Sequence, residues 1–375
     1  MGSEVSTGPP EGPTVGRVAV SSAPVDRVAE QLSALGPALA FLLAAVPLAA
    51  LLDELGFFEA IAGRLHERSG EELRLAWLWA LAAATTVVLN LDTTIVLLTP
   101  LYLRIGRHAG VDPVRLAVIP LVLASLASSA LTVSNLTNLV VADQHGVSSG
   151  DVLRHLGAPT AAAVVVGWLV YRRSGAAIRL PVAASGVDRR ALRVGGTVVT
   201  ALLLAFVAGP SLGLAPWVAT LVADAVLVVV LRRLPLRSIP LATAAGVAAV
   251  GALVALVVPA DLMSGIVASD SVGAAAAGVA VGGTAANALN NLPALFVGLN
   301  GSGRMTAGMW GWLWGVNSAA ALLPVGALAN LLWRRVVRDE GHQVSWRGYV
   351  AGVAPIVLPA VTAGTVVLLI GQAIA

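Results

Sequence analysis

Long apolar runs separated by short polar stretches dominate the chain, at residues 32–58, 75–104, 113–141, 157–171, 193–209, 212–231, 238–260, 271–299, 304–333 and 348–374. A helix needs about 20 apolar residues to cross the hydrocarbon of a bilayer, and most of these runs supply them. Two runs carry polar residues and a break at their centres. Run 75–104 holds Asn90, Asp92, Thr93 and Thr94, and run 271–299 holds Asn287, Asn290, Asn291 and Pro293 at the matching place. Polar groups and a helix breaker inside an apolar run predict two half-helices meeting at a tip within the membrane.

A second interrupted segment follows each of these runs. In the first it places Ser134, Asn135, Thr137 and Asn138 close together, and in the second Asn317 and Ser318 precede Pro324 and Gly326. If runs 75–104 and 271–299 are re-entrant hairpins, the arginines of the connecting loops divide nineteen to four, with only Arg17, Arg27, Arg154 and Arg304 on the poorer side. That asymmetry is what the positive-inside rule requires, and it places the richer side in the cytoplasm. The pattern therefore predicts an all-α integral membrane protein made of two inverted repeats, each with a re-entrant hairpin and a discontinuous helix. The expected organisation is a disordered polar tail over 1–31 and a first repeat over 32–171. A linking loop and two helices follow over 172–237, and a second repeat over 238–375.

Composition narrows the chemistry. Hydrophobic residues make up 57% of the 375 and charged residues 11%, which leaves too little polar surface for a soluble domain. There is no cysteine, and all 23 basic residues are arginine, so no thiolate can hold a metal or a substrate. The net charge of +3 lies in the loops and marks topology; nucleic acid is not an expected partner. Neither a metal site nor a cofactor is expected, because the histidines at 66, 108, 145, 155 and 342 fall in predicted loops without ligand spacing. No Ser/His or paired-carboxylate pattern suggests an enzyme.

Broken helices expose backbone groups that a ligand, an ion or water must satisfy, so the paired breaks point to a midplane binding site. The candidate substrate contacts are Asn90, Thr93, Thr94, Ser134, Asn135, Thr137, Asn138, Asn290, Asn291 and Asn317. Asp92 is the candidate for proton or ion coupling, since a central carboxylate costs about 2.5–3.5 kcal/mol to insert. Asp53 and Glu54, at the end of the first span, are further coupling candidates, with Arg64 and Arg68 in reach for ion pairs. Asp224 is expected to pair with an arginine. The tryptophans at 77, 79, 310, 312, 314, 333 and 346 fall near predicted span ends, as an interfacial belt would.

Several stretches resemble the ArsB-type arsenite/antimonite efflux permeases of the ion transporter superfamily. They are Asp53-Glu-Leu-Gly-Phe-Phe-Glu59, the segment around Asp92 ending at Pro100, Val133-Ser-Asn-Leu-Thr-Asn-Leu-Val-Val-Ala-Asp143, Leu289-Asn-Asn-Leu-Pro293 and Leu323-Pro-Val-Gly-Ala-Leu-Ala-Asn-Leu-Leu-Trp333. The resemblance implies proton-coupled export of a small inorganic oxyacid across the inner membrane by elevator-like movement, with a soluble ATPase subunit as a partner of some relatives. A homo-oligomer, in contact with membrane lipid, is the expected setting. Hydroxyl and amide groups suffice for uncharged arsenous acid. A sodium-coupled dicarboxylate or oxyanion transporter and a sodium/proton antiporter are the alternatives within the superfamily; the former needs a positive site, to which half-helix N-termini would contribute.

Overall fold

The computed structural model describes residues 24–61, 71–174, 188–209, 212–259 and 261–374. The first helix, α1 (Pro24–Glu54), begins inside the segment expected as a tail, so any tail ends by residue 23. After it come α2 (Glu71–Leu89) and α3 (Leu91–Ala109), which meet at Asn90. The hydroxyls of Thr86 and Thr94 meet at 3.0 Å and the Tyr102 hydroxyl donates to the Leu78 carbonyl, pairs centred on residue 90, so α2 and α3 fold back on each other as a hairpin. The next helix, α4 (Pro113–Leu126), starts on an Asp112 cap with proline in its first turn. It breaks over 127–135 and resumes as α5 (Leu136–His145). Then α6 (Ser149–Ser174) closes the first repeat.

The predicted run 157–171 understated α6, because the first turns of α6 carry Asp151, Arg154 and His155. Ser148 and Asp151 cap one another there: the Ser148 hydroxyl donates to the Asp151 carboxylate at 2.6 Å and accepts from the Asp151 N–H at 3.1 Å. His155 therefore lies in a helix and not in a loop, its ring stacked on Trp310 at 4.3 Å.

The linking helices are α7 (Arg189–Ala208) and α8 (Pro216–Leu231). The second repeat starts with α9 (Leu241–Val257). Its hairpin is α10 (Val272–Leu289) and α11 (Asn291–Leu299), meeting at Asn290. Past α11 the chain returns to where α10 began, since Gly308 N–H donates to the Ser269 carbonyl at 3.0 Å and the Thr306 hydroxyl to that of Val267 at 2.5 Å. The discontinuous helix is α12 (Ala307–Ser318), a one-turn 3-10 segment Ala319–Leu322, and α13 (Leu328–Asp339); α14 (Trp346–Ile374) ends the fold. Among the described residues five helices are long and apolar enough to cross a membrane.

The repeats match in backbone detail. Asn90 (φ 109°, ψ 173°) and Asn290 (φ 89°, ψ 152°) hold the two hairpin tips in a region nearly reserved for glycine, a strain of about 1–3 kcal/mol each. Asn138 donates to the carbonyls of Ser128 and Leu131 at 2.9 and 2.8 Å; Asn330, at the same offset in the second repeat, donates to those of Ala320 and Leu323 at 2.8 and 3.0 Å. Each asparagine thus ties the open turn of its broken helix to the half-helix that follows.

Packing divides the molecule into two bodies. A wall forms where α1 packs on α8 and α9, with α7 against α8. The hairpins, the broken helices, α6 and α14 form the other body, which meets the wall where α3, α5 and α11 touch α1 and α9. Within the second body α10 and α12 approach closely through glycine: a Cβ on Gly311 would lie 2.1 Å from the Ala275 carbonyl oxygen.

The packing overturns two expectations. Trp312, Trp314 and Trp333 are fully buried, and Trp79 and Trp310 nearly so, leaving Trp77 and Trp346 exposed as a belt would be. The indole N–H groups of Trp312, Trp314 and Trp333 donate at 2.7–3.0 Å to Ala294, Thr365 and Ala117 on other helices, so these rings brace the interior. Asp224 has one carboxylate oxygen buried without a partner and pairs with no arginine among the described residues, because α8 packs against the apolar α1.

Candidate functional site

A small cavity of about 20 Å³ lies where the two bodies meet. It has room for about one water molecule. Its lining includes the first two residues of α3 (Leu91, Asp92), the first of α5 (Leu136) with its cap Asn135, the first two of α11 (Asn291, Leu292) and the first of α13 (Leu328). Four half-helix N-termini, two from each repeat, therefore converge on one point. The wall closes the cavity with Leu42 of α1 and with Thr243 and Val247 of α9.

The electrostatics follow from this convergence. A helix N-terminus carries roughly half an elementary charge, so four of them present roughly two positive charges without any arginine in the lining. Asp92 supplies the opposing charge. Its Oδ1 is buried and has no hydrogen-bond partner among the described residues, and the same holds for the Thr93 hydroxyl. An unpartnered buried carboxylate is costly as a bare anion, so its charge calls for a proton or a cation.

Three of the four N-termini carry their own cap. The side-chain oxygens of Asn90, Asn135 and Asn290 accept from Thr93 N–H at 2.9 Å, Thr137 N–H at 3.2 Å and Leu292 N–H at 3.4 Å. The fourth, α13, is preceded by Ala327, which has the same extended backbone as Asn135 but no side chain to offer. A ligand oxygen is therefore the natural cap for α13.

The residues singled out from sequence divide into groups. Asp92, Asn135 and Asn291 line the cavity. Asn90 and Thr94 instead stitch the first tip, with the Thr94 hydroxyl donating to the Asn90 carbonyl at 2.9 Å, and Ser134 closes its local turn on Leu131. Asn290 and Asn291 tie the second tip to the second break, through Val325 at 3.1 Å and Gly326 at 2.8 Å. Thr137, Asn138 and Asn317 form a buried knot where the broken helices cross. The Asn317 carbonyl oxygen accepts from Thr137 at 2.6 Å and Asn135 at 3.1 Å, while its amide donates to Asn138 at 2.7 Å.

Asp53 and Glu54 are not brought to the cavity. Both are exposed at the far end of α1, where the neighbouring Glu59 accepts from Arg104 at 2.9 Å. Charged groups at a span end stay in water, which removes any need to pair them with Asp92. Arg64 and Arg68 lie outside the described residues. Sequence reading passed over Thr243 and Asn330. The available signals were that Thr243 is the sole polar residue of α9 and that Asn330 stands at the offset of Asn138.

Comparison with known proteins bears on this geometry. The family model described as the citrate transporter family, CitMHS, matches residues 18–320, more than three-quarters of the chain. The chain belongs to the CitMHS family. A solved structure of the YdaH transporter of Alcanivorax borkumensis has a similar fold at 15% sequence identity, covering 93% of this chain and 87% of that one with a TM-score of 0.61. The CitMHS chain is thus a multi-pass membrane transporter of the ion transporter superfamily, and the ArsB-type assignment is not confirmed.

Proposed function

We propose that this CitMHS protein carries a small carboxylate-bearing anion, such as citrate or a dicarboxylate, together with a proton or a metal cation across the inner membrane. The observation that carries the reading is the convergence of four half-helix N-termini on the cavity that also holds Asp92. Converging N-terminal dipoles favour an anion, and the uncapped α13 offers backbone N–H groups that an anionic oxygen can take. An uncharged arsenous acid makes no use of that field.

Asp92 supplies the coupling. A carboxylate substrate and the Asp92 carboxylate repel one another in a buried site unless a proton or cation neutralises one of them. Co-binding follows, and with it symport. The cavity holds about one water, so a citrate-sized ligand requires the hairpin tips to draw away from the wall. Sliding of the hairpins and broken helices along α1 and α9 provides that opening in an elevator-like cycle.

Purified protein in liposomes tests the reading. Labelled citrate and succinate should accumulate under an imposed proton, sodium or magnesium gradient and compete with one another. Transport of arsenite that no carboxylate inhibits, with no carboxylate uptake under any gradient, would overturn it.

A further inference from the structure

Helix α9 presents a uniform apolar face to the hairpins except at one place. Its sequence from Leu241 to Val257 contains a single hydrogen-bonding side chain, Thr243. The buried stripe continues through Val247, Gly251 and Val254, at the spacing of one helix face. On the other side of the cavity α1 contributes Leu42, and residues 35–52 of α1 contain no polar side chain. Of the three wall residues that line the cavity, Thr243 alone can bond to a polar ligand.

Its hydroxyl is also available. Several helical threonines of this chain donate to the carbonyl four residues back, as Thr85, Thr86, Thr197, Thr220, Thr284 and Thr362 do at 2.8–2.9 Å. Thr243 sits in the first turn of α9, where the carbonyl four residues back belongs to Ile239, outside the helix, and accepts instead from Leu241 N–H. Among the described residues Thr243 makes no such bond. Thr243 is half-buried and lines the cavity with Asp92, Asn135 and Asn291.

Position along the wall gives the contact a direction. Thr243 is the third residue of α9, at the end joined to the linking helices through Arg232, Arg233 and Arg237. In this conformation the substrate cavity is level with that end. Any movement of the hairpins toward the other end of α9 carries the cavity past Val247, Val250 and Val254, where the wall has no hydrogen-bonding side chain.

We infer that Thr243 is a one-sided specificity residue: it hydrogen-bonds the carboxylate substrate when the site faces the arginine-rich side and releases it when the site faces the other. The inference rests on the proposed carboxylate reading and deepens it. The wall then makes affinity differ between the two faces through one hydroxyl.

The test measures apparent KM from both faces, using inside-out and right-side-out vesicles and labelled citrate or succinate, whichever the wild type transports. Thr243→Val, which keeps the shape and removes the hydroxyl, should raise KM about tenfold from the arginine-rich face, the loss of one hydrogen bond to a charged oxygen, and leave KM from the opposite face unchanged. Thr243→Ser should restore the wild-type value. Unchanged KM in Thr243→Val, an equal rise on both faces, or a serine variant as impaired as valine would each overturn the inference. Failure of the wild type to transport any carboxylate would instead strike the functional proposal, so the two failures are distinguishable.

Discussion

The two broken helices have one backbone and two chemistries. In the first, the turn into α5 and its first residues carry Ser134, Asn135 and Thr137, and in the second the corresponding positions at the start of α13 are Gly326, Ala327 and Ala329. Both turns are held by an asparagine of the following half-helix, Asn138 or Asn330, in the same pair of carbonyl bonds. Duplication thus preserved what keeps the chain open in the membrane, while the side chains facing the cavity diverged. The first repeat brings its own polar groups and the single charge, Asp92, whose counterpart is Leu292. The second repeat brings bare backbone. Under the proposed symport, an asymmetric site of this kind would separate the two ligands, with the cation near Asp92 and the anion at α13.

The largest break in that comparison should come from Asp92→Asn. The amide is nearly the same shape and should leave the fold intact, yet it removes the carboxylate on which the proposed coupling rests. Gradient-driven uptake should fall by about a thousandfold, while substrate counterflow in the absence of a gradient persists. Full accumulation by the variant would place coupling elsewhere.

The shared asparagines come next. Asn138→Ala removes the side-chain donor to two carbonyls and the acceptor of the Asn317 amide, and should cost about 3 kcal/mol in thermal or denaturant unfolding of the purified protein. Asn330→Ala removes the side-chain donor to two carbonyls and leaves no amide of Asn317's kind unpaired, and should cost about 2 kcal/mol. The reverse order would mean that the knot at Asn317 contributes little.

Ala327→Asn sharpens the comparison by giving the second repeat the cap of the first. The new side-chain oxygen should take the free N–H groups of α13 and stabilise the fold by about 1 kcal/mol. Because that oxygen competes with the substrate anion for the same N–H groups, it should also raise KM about tenfold. Added stability with unchanged KM would show that the anion binds elsewhere.

The smallest effect is expected at Arg104, which reaches across to Glu59 at the end of the wall through an exposed pair. Arg104→Gln should change unfolding stability by less than about 1 kcal/mol, since water and salt screen such pairs. A larger loss would mark the pair as a latch between the two bodies.

Much of this was legible in the chain itself. Asn90 and Asn290 announced the hairpin tips, because an asparagine inside an apolar run has no use on a lipid-facing helix and tolerates the positive φ that a tight reversal demands. The arginine distribution then gave the inverted arrangement. The tryptophans misled: Trp310, Trp312 and Trp314 lie near a run end, but they alternate with Gly308, Gly311 and Gly315, and it is the glycine face that lets α12 press against α10 and turn the indoles into neighbouring helices. That outcome depends on which helix packs where, which periodicity does not encode.

Sequence alone determined the solvent, the two repeats and where polar groups enter the apolar runs: apolar length decides what enters a bilayer, and every polar group inside it needs a partner. It could not decide which polar groups bond to the protein and which remain for a ligand. Asn135 and Asp92 both line the cavity, yet the Asn135 side chain is consumed by Thr137, Ser128 and Asn317 while Asp92 Oδ1 has no partner among the described residues. Only tertiary structure decided that, and with it the placing of Thr243 and of the uncapped end of α13 on the cavity, because hydrogen bonds are short and directional and a site exists only where separate elements bring them to one point.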